Sequence, residues 1–242
     1  MKLTIAITAH DETCVAGPTM NSAADAITAA EAAGITVERL LGMDRMTPDA
    51  AAYFNQPAFD DWTRVSLDVG DLGLARNALA ESATGDVVAY LDADDLISEN
   101  WLVEACALLS TRSVILHPEI NWIFDAARVV VWNPALDSPF YTPHFWRVGN
   151  YYDSLAIAPR RAFLEVPYRP RDRVVGLGFE DWCWNVETLA AGWAHDTVRD
   201  TIIFKRRRDA SLVQELRQNR TVLWELDALA IDRLPYLGKD IV

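Results

Sequence analysis

The chain is short of cysteine, of positive charge and of long apolar runs, and each shortage closes off a class of function. Cys14, Cys106 and Cys183 are odd in number, far apart and without paired spacing. That argues against a disulfide framework and against a zinc site, and it points to a reducing compartment. Lys and Arg number 22 against 35 Asp and Glu, a net charge of −13. Such a surface repels polyanions, so nucleic acid and anionic membrane surfaces are disfavoured as partners. No apolar stretch approaches the roughly 20 residues of a membrane span, and the N-terminus has no signal-type apolar region. The expected location is the cytoplasm. Glycine is missing where a dinucleotide fold needs it: the turn after the first apolar run reads Thr8-Ala9-His10-Asp11-Glu12, with no glycine before Gly17. The phosphate loop and the Gly-x-Ser-x-Gly elbow are absent too. An EF-hand starting at Asp92 fails, because Ile97 stands where Gly is required and Val103 where Glu is required.

What is present alternates strand and helix. Leu3–Thr8 reads as a strand, Asn21–Ala33 as an Ala-rich helix capped by Asn21 or Ser22 and closed by Gly34, and Thr36–Leu41 as a second strand ending near Asp44. Arg64–Val69, a helix over Leu72–Ala83, the strand Val87–Leu91, a helix near Glu99–Ser110 and Ser113–His117 continue the pattern. Units of this length predict a mainly parallel central sheet flanked by helices. From 118 to 178 the pattern loosens into an irregular region rich in proline and aromatics, with short strand-like pieces at Arg128–Trp132 and Ser154–Ala158 and one or two antiparallel strands expected. A helix is expected from Glu180 to about Ala191, a strand at Thr201–Lys205, and helix from Leu212 onward. The predicted organisation is one α/β domain over residues 1–212, with halves 1–117 and 118–212, and a C-terminal helical tail, 213–242, packed on it.

The most informative stretch is Asp92-Ala93-Asp94-Asp95, at the end of the run Val87–Leu91. Alternation along a strand places Asp92 and Asp94 on one face, with Ala93 on the other. Two carboxylates with only oxygen ligands near them suit a hard cation such as Mg²⁺ or Mn²⁺, and such a cation suits a diphosphate. Three acids at a strand end also make an ordinary solvated turn.

Four pieces in order decide between those readings. Gly73-Leu74-Ala75-Arg76-Asn77, Ala83-Thr84-Gly85-Asp86, Tyr90-Leu91-Asp92-Ala93-Asp94-Asp95 and, nearly ninety residues on, Gly178-Phe179-Glu180-Asp181-Trp182 together resemble the core motifs of family-2 glycosyltransferases with the GT-A fold. The resemblance spans roughly residues 3–212. It implies an inverting transferase that moves a sugar from a nucleotide diphosphate donor, a uridine one by preference, to a hydroxyl acceptor. It further implies Mn²⁺ or Mg²⁺ held by Asp94, with Asp92 on the metal or the nucleotide side, and Asp181 as general base with Glu180 orienting hydroxyls. Thr8, His10, Glu12, Asp44, Arg76, Asp92, Ala93 and Asp94 would line the donor. The chain departs from the pattern where such proteins carry a metal-reaching His near Ser: the corresponding position is Arg208, which suits a diphosphate bidentately. His195 is the nearest replacement ligand, and a loop histidine is its alternative. Trp182 and Trp146 are candidates to touch acceptor, with Tyr152 in the same cleft, although most of the nine Trp belong to a core. Two other readings stay open: a nucleotidyltransferase, and a non-catalytic module that binds a nucleotide sugar or glycan.

Overall fold

The computed structural model describes residues 1–207 and 219–238. It opens with β1 (Lys2–Ala9), buried along almost its whole length, as a strand covered on both faces must be. Helix α1 (Ala16–Ala32) follows; Ala23, Ala26 and Ala30 are fully buried, and their small side chains let it lie close on the sheet. It starts earlier than the expected Asn21, because Pro18 fits the first turn of a helix and need not precede it. Its end is as expected, at Gly34 with φ +80°.

β2 (Thr36–Asp44) and α2 (Pro48–Phe54) come next, the latter capped by the Thr47 hydroxyl at 3.3 Å from the Ala50 N–H. Then come β3 (Thr63–Leu67), α3 (Leu72–Ser82) and β4 (Val87–Asp92). The Asp71 carboxylate caps α3, 3.0 Å from the Leu74 N–H. Gly85, in the turn before β4, lies so close to β1 that a Cβ there would sit 2.5 Å from Thr4 Oγ1, which accounts for the glycine of Thr84-Gly85-Asp86.

The second half contains β5 (Leu96–Ile97), α4 (Trp101–Leu109), β6 (Ile115–Asp125), β7 (Val129–Trp132), β8 (Ile157–Pro159), α5 (Arg160–Glu165), β9 (Leu177–Gly178), α6 (Glu180–Ala190), β10 (His195–Arg207) and β11 (Val222–Leu223). Nine strands form one sheet in the order β3-β2-β1-β4-β8-β6-β10-β5, with β7 beside β6. The first four are parallel, as expected. The long ladders of the sheet are parallel, β6 with β10 included, and the short strands are antiparallel additions: β8 to both β4 and β6, β7 to β6, and β5 to β10. β8 alone links the two parallel blocks, and with β7 it supplies the antiparallel strands expected between 118 and 178. β10 is far longer than Thr201–Lys205, because a bulge between Val198 and Ile202 lets it follow β6 for its full length. Helices α1, α2 and α4 cover one face of the sheet around Ile5, Ile7, Phe54 and Trp101; α3, α5 and α6 cover the other around Leu79, Tyr90, Phe163 and Trp184.

The expected helical tail is not observed among the described residues. Residues 219–238 hold β11, paired with β9, and two short 3-10 turns (Asp227–Leu229 and Leu234–Tyr236). Leu226, Leu234 and Leu237 pack against Cys183, Val186 and Leu189 of α6. Pro235 and the left-handed Gly238 (φ +78°) break the helical course that the leucine spacing suggested. No described helix is long and apolar enough to cross a membrane.

Candidate active site

Parallel pairing sets the carboxyl ends of β1, β2 and β4 side by side: Thr8 faces Gly42 on one flank and Asp92 on the other. Ligands of open α/β sheets bind outside such ends. Asp92, the last residue of β4, accepts from Thr8 Oγ1 at 2.9 Å and Arg76 Nη2 at 2.8 Å on one oxygen, and from Lys205 Nζ at 3.0 Å on the other. Burial by itself would raise its pKa; the Arg76 and Lys205 charges outweigh that and hold the carboxyl well below the usual carboxylate range.

Arg76 is fully buried. Its guanidinium reaches Asp92, Ser154 Oγ at 2.9 Å and Glu180 Oε1 at 3.3 Å, and it lies 5.6 Å from the centre of the Tyr168 ring. It therefore ties the motif at the end of β4 to the motif at the start of α6, and Glu180 lies 104 residues from Arg76 in sequence. Lys205, on β10, makes a second hub. Its ammonium lies 3.0 Å from Asp92, 2.7 Å from Asp95 and 3.3 Å from Asp153. Burial opposes its charge, but the surrounding carboxylates of Asp153, Asp95, Asp92 and Asp94 keep it protonated.

Asp95 is buried and also accepts the Arg206 backbone N–H at 2.8 Å, so it fastens β10 to the end of β4. Asp94 is half-buried at the mouth of the site. Across that mouth, Glu12 accepts the backbone N–H groups of His10 at 2.6 Å and Asp11 at 3.1 Å. Burial, only partly offset by the His10 N–H, raises the Glu12 carboxyl, and nearby Asp94 adds to the shift. Among the described residues no three His, Cys, Asp or Glu side chains gather as a metal cage. Magnesium-type ions are commonly held by one or two carboxylates together with substrate phosphates, and Asp94 fits that role.

The start of α6 is built differently. Phe179 precedes it in the left-handed region (φ +60°, ψ +57°), a conformation that costs a bulky residue roughly 1–2 kcal/mol. That turn aims Glu180 inward to Arg76 and leaves Asp181 half-buried beside it. Asp181 accepts the Trp182 N–H at 2.8 Å on one oxygen and Asn150 Nδ2 at 3.2 Å on the other. Burial, then the charges of Glu180 and Asp153, push its carboxyl up to about 7.

The structure thus gathers Thr8, Glu12, Asp92, Asp94, Glu180 and Asp181 around one sheet edge. Several sequence expectations are corrected. Asp92 is not open to a metal: its oxygens are taken by two protein cations and a hydroxyl. Arg76 cannot line the donor, since nothing of it is exposed. Ala93 is buried, and its N–H donates to the Thr8 carbonyl at 3.0 Å. Asp44 spends its carboxylate on the Val69 and Gly70 N–H groups, both at 2.8 Å, in the turn after β3. Exposed His10 packs beside it, with Nδ1 2.7 Å from the Asp44 carbonyl.

His195 is not a metal ligand. It is buried with its ring nitrogens 2.9 Å from His117 Nε2 and Thr188 Oγ1, and burial drops its pKa to about 3. Trp146 and Tyr152 are core residues rather than acceptor contacts. The Trp146 indole donates to Tyr141 Oη at 3.0 Å, and the Tyr152 hydroxyl donates to the Pro134 carbonyl at 2.6 Å. Trp182 stays half-buried next to Asp181, its indole N–H on the Trp146 carbonyl at 2.9 Å. Arg208 lies outside the described residues. Sequence reasoning missed Lys205, Ser154 and Asn150; the only local signal was the basic run that begins at Lys205.

Residues 44–166 match the family model described as glycosyl transferase family 2. No curated protein matches the chain in sequence. Among solved structures, S. aureus TarS 1-349 in complex with UDP-GlcNAc superposes with a TM-score of 0.64 at 15% identity, over 88% of this chain and 61% of that one. The mannosyltransferase PcManGT from Pyrobaculum calidifontis, in complex with GDP-Man and Mn²⁺, gives 0.65 at 14% identity over 90% and 60%. GalNAc-T7 with UDP, GalNAc and Mn²⁺ gives 0.59 at 17% identity over 86% and 44%. At these identities the likeness is one of fold, and the chain spans about 60% of the length of the first two.

Proposed function

The chain belongs to glycosyl transferase family 2, and we propose that it transfers a sugar with inversion from a nucleotide diphosphate donor to a hydroxyl acceptor. The observation that carries this reading is the Arg76 bridge from Asp92 to Glu180, which sets an ionised carboxylate at the end of β4 beside the start of α6, where burial and neighbouring carboxylates push Asp181 up to about 7. A carboxyl poised near neutrality suits a general base, which must be ionised at working pH and yet hold a proton once it has taken one.

Asp181 takes the proton of the acceptor hydroxyl as its oxygen attacks the anomeric carbon. The bond to the diphosphate breaks on the opposite face, and the diphosphate leaves with the electron pair. Glu180, fixed by Arg76, orients sugar hydroxyls. Lys205 and Arg76 keep Asp92 from repelling the phosphates. Thr8, His10 and Glu12 frame the nucleoside at the end of β1, and Trp182 stands on the acceptor side. A divalent cation, Mn²⁺ or Mg²⁺, held by Asp94 would offset charge on the departing diphosphate.

A uridine donor is the reading that the family-2 motifs favour, and the net charge of −13 favours a non-polyanionic acceptor. Residues 1–212 form the catalytic unit in this reading. Assay of UDP- and GDP-sugars with and without Mn²⁺ tests it. Asp181→Asn is expected to lower kcat by about 10²–10⁴-fold with donor affinity kept, and chelation to suppress turnover. Full activity in that variant would overturn the assignment of the base.

A further inference from the structure

Asn150 sits in the irregular segment between β7 and β8, where no motif marks it. Its amide is held at both ends. Nδ2 donates to Asp181 Oδ2 at 3.2 Å, while Oδ1 accepts from Asn185 Nδ2 at 3.0 Å and from the Tyr152 backbone N–H at 3.4 Å. The orientation of the amide follows from its partners: a backbone N–H can only donate and an ionised carboxylate can only accept, so the oxygen faces Tyr152 and the NH₂ faces Asp181. Asn185 is itself buried one turn along α6 from Asp181, so base and holder ride on one rigid element. The segment is set by Gly149, where a Cβ would lie 2.5 Å from the Phe145 ring. Asn150 also lines a cavity of about 1240 Å³ together with Trp132, Phe145 and Tyr151, so one residue touches both that cavity and Asp181.

We propose that Asn150, locked by Asn185, is a positioning residue for Asp181, fixing the direction of its carboxylate on the side of this cavity. The inference rests on the assignment of Asp181 as base. Charged and titratable groups also face Asp181 from every neighbouring element: Glu180 on α6, Asp153 before β8, Arg76 on α3 and Tyr168 after α5. Glu180 and Asp153 disfavour its ionised form and Arg76 favours it. Asn150 adds a neutral side-chain donor, and because an N–H bonds an ionised carboxylate more strongly than a protonated one, its removal disfavours the ionised form.

The test is a titration of Asp181 by NMR of ¹³C-carboxyl-labelled aspartate in the full chain, with the resonance assigned by its loss in Asp181→Asn. Asn150→Ala is expected to raise the midpoint by about one pH unit. Asn150→Asp, equal in size but presenting an acceptor to an acceptor, is expected to raise it further. In transfer assays Asn150→Ala moves the acid limb of the pH profile upward by the same amount. It also keeps a deficit in kcat of about tenfold above both midpoints, where ionisation no longer limits, with donor KM unchanged. Wild-type midpoints in both variants, each checked for native circular dichroism, would overturn the proposal. Because the titration needs no donor, it stands apart from the base assignment: a normal transfer rate in Asp181→Asn sinks that assignment and leaves the measured shift in place.

Discussion

Two regions of the site hold the same residue type in opposite electrostatic surroundings. At the end of β4, Asp92 is ringed by Arg76, Lys205 and Thr8 and is held ionised. At the start of α6, Asp181 is crowded by Glu180 and Asp153, with a backbone and an amide donor in direct contact, and its pKa rises to about 7. Carboxylates whose surroundings push their pKa values apart divide the work of a site. Here the arrangement reserves permanent charge for the structural hub and leaves the group at the helix start free to exchange a proton.

The contrast can be broken most severely at Arg76. Arg76→Met leaves Asp92 and Glu180 facing each other without their buried cation, and a loss of about 3–5 kcal/mol in urea unfolding is expected. Asp181→Asn should act in the opposite direction. A carboxyl with a folded-state pKa near 7 and an unfolded one near 3.9 binds its proton more tightly when folded, so stability is greatest below about pH 4 and declines as pH rises toward 7. Removing that carboxyl abolishes the decline; the variant is expected to be about 1–2 kcal/mol more stable than wild type at pH 8, while inactive. Asp92, with a depressed pKa, contributes stability that is present above about pH 4 and lost as pH falls below it, so Asp92→Asn should cost stability at neutral pH. The smallest effect belongs to Thr8→Val, which deletes one neutral donor to Asp92 and is expected to cost about 1 kcal/mol at pH 7. A null result there would mean that Arg76 and Lys205 alone hold Asp92 ionised.

The parallel half of the fold and its acidic strand end were legible in the sequence because they are local. Val87–Leu91 is a short β-branched and aromatic run of the kind a strand buried on both faces uses, and Asp92 follows at once. Glu180-Asp181 at a helix start was legible for the same reason. The cation hubs were not. Arg76 looks like an exposed helix residue until its partner arrives from 104 positions away, and Lys205 looks like the first of a basic run until the bulged β10 carries it to Asp92. His195, Trp146 and Tyr152 read as ligand contacts because polarity and aromaticity are visible in a sequence, whereas burial of both faces of a ring is decided by the sheet beneath it.

The span of the Arg76 bridge bears on how the molecule comes to be folded. A chain emerging in order completes β1 to β4, with Arg76 and Asp92 in place, long before residue 180 is available. Until α6 docks, one branch of the guanidinium has no carboxylate, and a buried cation half-compensated in this way is costly. The ion network of the first half is therefore complete only when a contact of high sequence separation has formed, the kind that slows folding. A fragment ending before α6 would lack both the proposed base and the carboxylate partner of Arg76, so the two parts of the site are completed by the same docking of α6.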